Sequence, residues 1–256
     1  MAAMAKYYMH GMITLLLAAL IAGTAIADEQ QDDQQAQALI EQADRIRFPG
    51  ESFQVDVAVT SRYEGQGAES WKYRVLSKGN DNTVVMVVEP ASERGQIILM
   101  KGRDLWIFMP NVSQPVRLSM AQRLTGQVAN GDLARANFAG DYKARRLRVD
   151  SIEGARYQVL ELTAKDRGVT YSRVLYWLKE GNNAPYKAEF YSLSGRLLKT
   201  GRYENYRNLL GKSRPMRLVL TDALRQGEES VLEYGEMKLR ELPDKIFTKE
   251  YLKKLE

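Results

Sequence analysis

The residues that could carry out covalent or acid–base chemistry are few in this chain. It contains no cysteine, and its only histidine is His10. His10 lies within the first 27 residues, which read as a signal that export removes. Without histidine or cysteine, a Ser-His-Asp triad, a Cys-His pair and the usual zinc and haem ligands are excluded. Carboxylate pairs, serine–lysine pairs and tyrosine remain.

None of these remaining groups has the spacing of a catalytic site. Glu228-Glu229 and Asp32-Asp33 are adjacent in sequence, so we expect their side chains to point apart or to lie in loops. The sequence also contains neither a nucleophile elbow nor a glycine-rich phosphate loop. We therefore predict a protein that is not an enzyme and that uses no metal or cofactor.

The N-terminus has the pattern of a secretory signal peptide. Lys6 precedes the apolar run "MITLLLAALIAGTAIA", and Ala25-Ile26-Ala27 is a small-x-small cleavage site. The alternative is an uncleaved membrane anchor, but the apolar run is short for a span of roughly 20 residues. We predict a signal peptide over residues 1–27 and an exported, periplasmic domain over residues 28–256.

The charge of the mature chain argues against a nucleic-acid partner. Cleavage leaves 256 − 27 = 229 residues and removes only Lys6 among the lysines and arginines, so the net charge is 36 − 32 = +4. These charges are mixed along the chain, whereas nucleic-acid binders concentrate them in a stripe or patch.

The hydrophobic periodicity predicts a mainly β protein with a few short helices. One apolar stripe precedes Pro49-Gly50 and indicates a helix that ends there: Ala36, Leu39, Ile40, Ala43 and Ile46. From Ser52 onward the period is two, and about a dozen strands follow, joined by short turns that require antiparallel neighbours. A capping-box spacing after Ser119 predicts a short helix that stops at Asn130-Gly131.

The hairpin "GQIILMKGRDLWIFMPN" is apolar on both faces. A turn at Gly102-Arg103 places four side chains on one face, namely Ile97, Leu99, Trp106 and Phe108. The other face carries Ile98, Met100, Leu105 and Ile107. Few helices are available to cover so long a sheet, so it can curl around an interior. That interior is either a filled core or an apolar cavity, and periodicity leaves both open.

The combination of elements resembles the LolA/LolB-like superfamily, in its branch of outer membrane lipoprotein-sorting proteins. The resemblance rests on the export signal, the "F-x-V-x-V-x-V" and "W-x-Y-R" strands, "KGRDLWIFMP", an irregular insert, a strand meander and the closing "LPDKIFTKEYL". It implies an open antiparallel half-barrel of about eleven strands with a helical lid on its concave face. It also implies a carrier that shelters acyl chains between barrel and lid.

On this basis we expect six residues to line a lipid-binding cavity on the concave face: Trp71, Tyr73, Ile97, Leu99, Trp106 and Phe108. In carriers of this family an arginine after the second strand holds the lid shut, and Arg74 stands near that position. The proline that follows that arginine in the family is replaced here by Val75. Arg74 is therefore either a lid latch or a solvent-facing or salt-bridged strand residue.

Two sets of partners follow from the resemblance. The first is the acyl chains of a lipoprotein or lipid, carried through the periplasm towards the outer membrane. The second is another protein, which would be the partner if this chain is a sensor or an accessory subunit of an inner-membrane transporter. The basic stretch "DYKARRLRVD" is either a solvated strand face or a docking site for anionic lipid headgroups or an acidic partner.

Overall fold

The computed structural model describes residues 31–79, 81–135 and 137–252. The predicted signal peptide lies outside these residues. The first helix, α1, is described over residues 31–47, and it ends just before Pro49-Gly50 as the sequence predicts. Three further helices are short: α2 (Asn130–Ala134), α3 (Phe138–Asp141) and α4 (Lys249–Leu252).

Strands make up most of the described chain. The first eight are β1 (Phe53–Arg62), β2 (Glu69–Lys78), β3 (Asn82–Glu89), β4 (Ile97–Lys101), β5 (Asp104–Phe108), β6 (Val116–Leu118), β7 (Arg123–Thr125) and β8 (Val128–Ala129). The next eight are β9 (Tyr142–Ile152), β10 (Ala155–Ala164), β11 (Arg173–Lys179), β12 (Pro185–Tyr191), β13 (Leu197–Leu209), β14 (Lys212–Asp222), β15 (Glu229–Tyr234) and β16 (Lys238–Leu239).

One open antiparallel sheet contains 14 of these strands. Its order is β6-β5-β4-β3-β2-β1-β15-β14-β13-β12-β11-β10-β9, and β16 pairs with one end of β1. The chain thus starts in the middle of the sheet, builds one half outward to β6 and then builds the other half inward from β9. The predicted fold class is confirmed, although the main sheet has more strands than the eleven expected.

One face of this sheet carries the main apolar core and is concave. The alternating side chains of β1, from Phe53 to Val59, pack in one cluster with the α1 stripe. The same cluster contains Leu105 near one edge of the sheet and Leu162 near the other. Strands so far apart in the sheet order share a core only where the sheet curls around it. Helix α1 therefore lies inside the half-barrel and covers its concave face.

The segment that follows β6 differs from its prediction. The chain after Ser119 forms turns and the two-stranded sheet of β7 and β8, and the helix α2 starts at Asn130, where a helix end was expected. The Asp132 carboxylate accepts a hydrogen bond from the backbone N–H of Ala129 at 2.8 Å and so caps α2. The Asn130 side chain also donates to the Ser119 carbonyl at 2.9 Å. These long-range and capping contacts outweigh the local capping-box pattern.

The convex face of the β4–β5 hairpin is covered by the C-terminal segment, residues 240–252. This segment contains a short 3-10 helix (Asp244–Phe247) and α4. Its three buried side chains form a second cluster with the convex face of the hairpin: Leu242, Phe247 and Leu252 against Val84, Ile97, Leu99 and Phe108. The hairpin is apolar on both faces because each face has a separate cover.

Candidate functional site beneath the helical lid

The space between the sheet and the helices that cover it is the candidate site. We define the lid as α1 together with residues 130–141, which contain α2 and α3. A small cavity of about 20 Å³ lies beneath it, lined mainly by aromatic and apolar side chains: Phe48, Phe138, Phe190, Tyr203, Leu218 and Tyr234. A cavity of this size has room for about one water molecule. The interior is therefore packed while the lid is closed.

A charged side chain, Arg47, points into this apolar interior from the end of α1. It follows Ala36, Ile40 and Ala43 on the helix face that meets the sheet, and it is only 7% exposed. Its guanidinium lies 4.3 Å from the centre of the Phe138 ring. Its Nη1 also donates to an Asp44 oxygen at a long distance of 3.4 Å. The lid thus carries a buried cation against the aromatic wall of the cavity.

Asp44 is the acidic partner of Arg47 and ties two parts of the lid together. Its second oxygen accepts a hydrogen bond from the backbone N–H of Ala139, in α3, at 2.8 Å. Burial raises the pKa of this carboxyl to about 6, although Arg47 and the backbone hydrogen bonds act in the opposite direction. Asp44 therefore titrates in a mildly acidic range while the lid is closed.

Further hydrogen bonds fix α1 to its neighbours. The Gln37 side chain donates to the Ala139 carbonyl at 2.9 Å and accepts from the backbone N–H of Ala144 at 3.2 Å. At the other end of α1, the Arg214 guanidinium donates to the carbonyls of Arg45 and Ile46 at 2.8 and 3.0 Å. Water can replace polar contacts of this kind when the helix moves away. These contacts therefore keep α1 in place without preventing its displacement.

The α2–α3 part of the lid is fixed by a buried arginine. The Arg135 guanidinium donates to Asp141 at 2.8 Å and to Asp81 at 3.0 Å. It also donates to the Gly102 carbonyl in the β4–β5 turn at 2.8 Å. Charge-assisted bonds of a buried arginine are strong and geometrically specific. This part of the lid is therefore attached to the turns at one end of the sheet more firmly than α1 is.

The structure divides the residues that were expected to line a cavity. Trp71 and Tyr73 lie on the concave face, with their rings stacked 6.1 Å apart, and Tyr73 is 1% exposed. The four hairpin residues lie on the convex face under the C-terminal segment: Ile97, Leu99, Trp106 and Phe108. Their prediction as concave-face residues is therefore wrong.

The error concerns the face and not the pairing. The predicted register is present, with Ile97 opposite Phe108 and Leu99 opposite Trp106. The face beneath α1 is the one that carries Met100 and Leu105. The large aromatic rings of the opposite face pack instead against the C-terminal segment, which provides a second apolar surface.

Arg74 lies on the convex face, away from α1. Its Nε and Nη2 donate to the two carboxylate oxygens of Asp56, on β1, at 2.8 and 2.9 Å. The hydrogen bond from Arg74 lowers the pKa of Asp56 from its ordinary value. Both side chains are about two-fifths exposed. Of the two interpretations offered for Arg74, the salt-bridged strand residue agrees with this position.

The residues that sequence reasoning missed are the polar groups of the lid, above all Asp44, Arg47 and Arg135. Arg47 had a signal, because it continues the spacing of Ala36, Ile40 and Ala43 and so had to meet the same apolar surface. The sequence contains no signal for the role of Arg135, since its partners Asp81 and Asp141 approach it only in the folded chain.

Two negative observations apply to residues 31–79, 81–135 and 137–252. They contain no cluster of three or more His, Cys, Asp or Glu side chains placed to hold a metal ion. Within the same ranges, every helix is too short or too polar to cross a membrane.

The fold and the sequence match a solved structure closely. The LolA superfamily protein NE2245 from Nitrosomonas europaea is 63% identical, with a TM-score of 0.82, over 84% of this chain and 98% of that one. This chain belongs to the LolA superfamily. A family model described as an uncharacterised protein also matches residues 79–254.

Two more distant solved structures share the fold. One is a domain described as an outer membrane lipoprotein-sorting protein, from Vibrio parahaemolyticus, at 20% identity and a TM-score of 0.73 over 86% of this chain and 99% of that one. A DUF1329 family protein from Desulfovibrio piger has 20% identity and a TM-score of 0.72 over the same shares. No curated protein matches the sequence.

Proposed function

We propose that this LolA superfamily protein is a periplasmic carrier that shelters the acyl chains of a lipoprotein or lipid beneath its lid, for transfer towards the outer membrane. The observation that carries the proposal is the lid itself. One apolar concave face is covered by α1, which is held to its neighbours largely by a few hydrogen bonds that involve Gln37, Asp44 and Arg214. A covering of this kind can be displaced without unfolding the sheet.

The closed cavity of about 20 Å³ is too small for an acyl chain, so the proposal requires the lid to move. Displacing α1 uncovers the apolar side chains with which it now packs. An acyl chain that takes its place regains about 0.8 kcal/mol for each buried CH₂ group. The bound acyl chain therefore offsets part of the cost of displacing α1.

We propose that Trp71 and Tyr73 line the opened space. Both lie on the concave face, and Trp71 is only half-buried, so its ring is available to a ligand. No covalent step is needed for this role, and the protein acts as a carrier without catalysis. The four hairpin residues under the C-terminal segment have no part in it.

A reversible lock on α1 tests the proposal. The side chains of Gln42, on α1, and Asn183, in the β11–β12 turn, meet in a 2.7 Å hydrogen bond. The chain has no cysteine of its own, so Gln42→Cys/Asn183→Cys can be joined selectively by a short, cleavable bifunctional thiol reagent. We expect the joined protein to lose uptake of a fluorescent fatty acid from solution, and cleavage of the reagent to restore it.

Each single-cysteine variant, treated with the same reagent, is the matched control and should keep full uptake. Full uptake by the joined protein would show that α1 need not move. If the uncrosslinked protein never takes up lipid, even after delipidation and incubation with lipid, the carrier function itself is wrong.

The alternative is a protein-binding module, such as a sensor or an accessory subunit of an inner-membrane transporter. The small size of the closed cavity favours this alternative, because a nearly filled interior is what an ordinary hydrophobic core has when it binds no lipid. Failure of lipid uptake together with co-purification of an inner-membrane transporter would support this second function.

A further inference from the structure

A second cavity system lies outside the lid, along one rim of the half-barrel, and we call it the rim groove. Its apolar chamber, of about 500 Å³, is lined by the β10–β11 and β12–β13 connections and the strand ends beside them, among them Ala164, Val169, Tyr191, Leu193 and Leu198. Its basic chamber, of about 290 Å³, is lined by Arg123, Arg196, Lys199 and Arg225. The two chambers share the lining residues Ala121, Tyr171 and Leu198, so they lie side by side along this rim.

The rim groove is separate from the space beneath the lid. Asp132 lines the small cavity beneath the lid, whereas Tyr171 and Lys199 line the rim groove. The Tyr171 hydroxyl donates to Asp132 at 2.7 Å, and Lys199 Nζ lies 2.7 Å from the same carboxylate. These buried contacts form a wall between the two spaces. A ligand in the rim groove therefore does not require α1 to move.

The positive charge of the rim groove is available to a ligand. Within the described residues, Arg123, Arg167 and Arg196 line the groove and make no ion pair or side-chain hydrogen bond. The other two cations of the groove are already paired, Lys199 with Asp132 and Arg225 with Glu228. Two carboxylates also line the groove: Asp166 pairs with Arg103, and Asp222 accepts the backbone N–H groups of Leu224 and Arg225 at 2.7 and 2.9 Å. In contrast, the arginines of β9 are already paired with Asp32, Asp150 and Glu161.

Exposed apolar side chains stand at the same rim. Leu193 is 80% exposed and Leu224 is 62% exposed, and they lie at the tips of the β12–β13 and β14–β15 turns. Leu193 borders the apolar chamber and Leu224 the basic one. An apolar groove beside unpaired arginines and exposed leucines is complementary to a molecule with an acyl chain and an anionic headgroup.

We propose that the rim groove binds a phospholipid with an anionic headgroup. One acyl chain occupies the apolar chamber, and the phosphate contacts Arg123 and Arg196 in the basic chamber. The site lies outside the lid and goes beyond the proposed carrier function, because it places the protein at a membrane surface whether or not the interior holds cargo. Clusters of basic residues near an anionic surface bind it more tightly at low ionic strength.

Vesicle co-sedimentation of the full chain tests this proposal. We expect binding to vesicles of phosphatidylglycerol and phosphatidylcholine in equal parts, and much weaker binding to phosphatidylcholine alone. Arg123→Gln/Arg196→Gln should bind up to about 30-fold less tightly, which corresponds to about 1 kcal/mol for each arginine near an anionic surface. Leu193→Ser should also reduce binding, because it removes an apolar side chain from the edge of the apolar chamber.

Arg45→Gln/Arg207→Gln is the matched control. Arg45 and Arg207 are likewise exposed and unpaired within the described residues, but they lie away from the groove, and their loss changes the net charge equally. Equal losses in the two double variants would reflect general charge attraction and would overturn the proposal. Equal binding to both vesicle types would also overturn the proposal. So would NMR chemical-shift changes of the groove residues on addition of inorganic phosphate, if the protein binds no vesicles.

The two proposals fail separately. The crosslinked Gln42→Cys/Asn183→Cys protein should lose uptake of fatty acid and still bind phosphatidylglycerol vesicles. Loss of vesicle binding on crosslinking would contradict a groove that lies outside the lid, whatever the result for uptake.

Discussion

The two faces of the β4–β5 hairpin are equally apolar in sequence but differ in what covers them. The concave face, with Met100 and Leu105, belongs to a core that extends across the whole sheet and includes α1. The convex face, with Leu99 and Phe108, belongs to a small cluster that the short C-terminal segment closes. We expect substitutions that disrupt the first core within the sheet to unfold the protein, and substitutions in the second cluster to release only the C-terminal segment. Apolar composition alone therefore does not rank the importance of a buried surface.

The largest expected effect is on the concave side. Met100 is 0% exposed, so Met100→Asp buries a charge without a partner, at a cost of several kcal/mol. That cost is comparable with the whole stability of a typical domain, and we expect loss of the folded state in urea unfolding measurements. Met100→Leu keeps the volume and should cost less than about 1.5 kcal/mol. A soluble, cooperatively folded Met100→Asp protein would contradict the assignment of the main core.

Substitutions under the C-terminal segment should cost less, and their effects should not add. Phe247 and Leu252 are 2% and 1% exposed. Either Phe247→Ala or Leu252→Ala should lower the free energy of unfolding by about 2–4 kcal/mol. The second substitution should then add less than about 1 kcal/mol, because the segment has already detached. A double-mutant cycle from urea midpoints measures this difference. Full additivity would mean that the segment unfolds only together with the sheet.

A stability contribution that is lost as the pH rises should come from Asp44, on the lid side. The pKa of Asp44 is raised to about 6, so the folded state holds its proton more tightly than the unfolded state, where the pKa is 3.8. Its contribution to stability is therefore greatest below pH 3.8 and falls as the pH rises to about 6, by about 2–3 kcal/mol.

Asp44→Asn should remove this slope. The comparison must be made between the two proteins, because carboxylates with a lowered pKa, such as Asp56 and Glu161, give the opposite slope at acid pH. Urea unfolding at several pH values from about 4 to 7 provides the measurement. Parallel stability curves for the two proteins would refute a raised pKa for Asp44.

The smallest effect is expected at the outer edge of the convex cluster. Lys249 Nζ lies 3.8 Å from the centre of the Trp106 ring. A partly exposed cation–π contact of this kind contributes about 0.5–1 kcal/mol. Lys249→Met retains most of the apolar stem, so the loss of stability should stay within this range. A loss above about 2 kcal/mol would mean that the C-terminal segment depends on this charge far more than the burial of Phe247 suggests.

Much of the fold follows from local patterns. The alternation in β1, the stripe on α1 and the pairing of Ile97 with Phe108 all come from side-chain period and turn position, which the chain sets within a few residues. The helix expected after Ser119 was wrong because its capping pattern competed with two other contacts. The Asn130 side chain donates to the Ser119 carbonyl once the segment has closed on itself, and Asp132 caps a helix that starts later in the chain.

The sequence by itself determined a helix-poor antiparallel sheet, the register of the β4–β5 hairpin with its two apolar faces, and a chain without cysteine whose only histidine is His10. These properties depend on residue type and on spacing along the chain. Only the tertiary structure decided which hairpin face meets α1, why Arg74 pairs with Asp56, and that Arg123, Arg167 and Arg196 meet at one rim. Those outcomes depend on segments that are distant in sequence. The local hydrophobic period does not predict which of two apolar surfaces such a segment will cover.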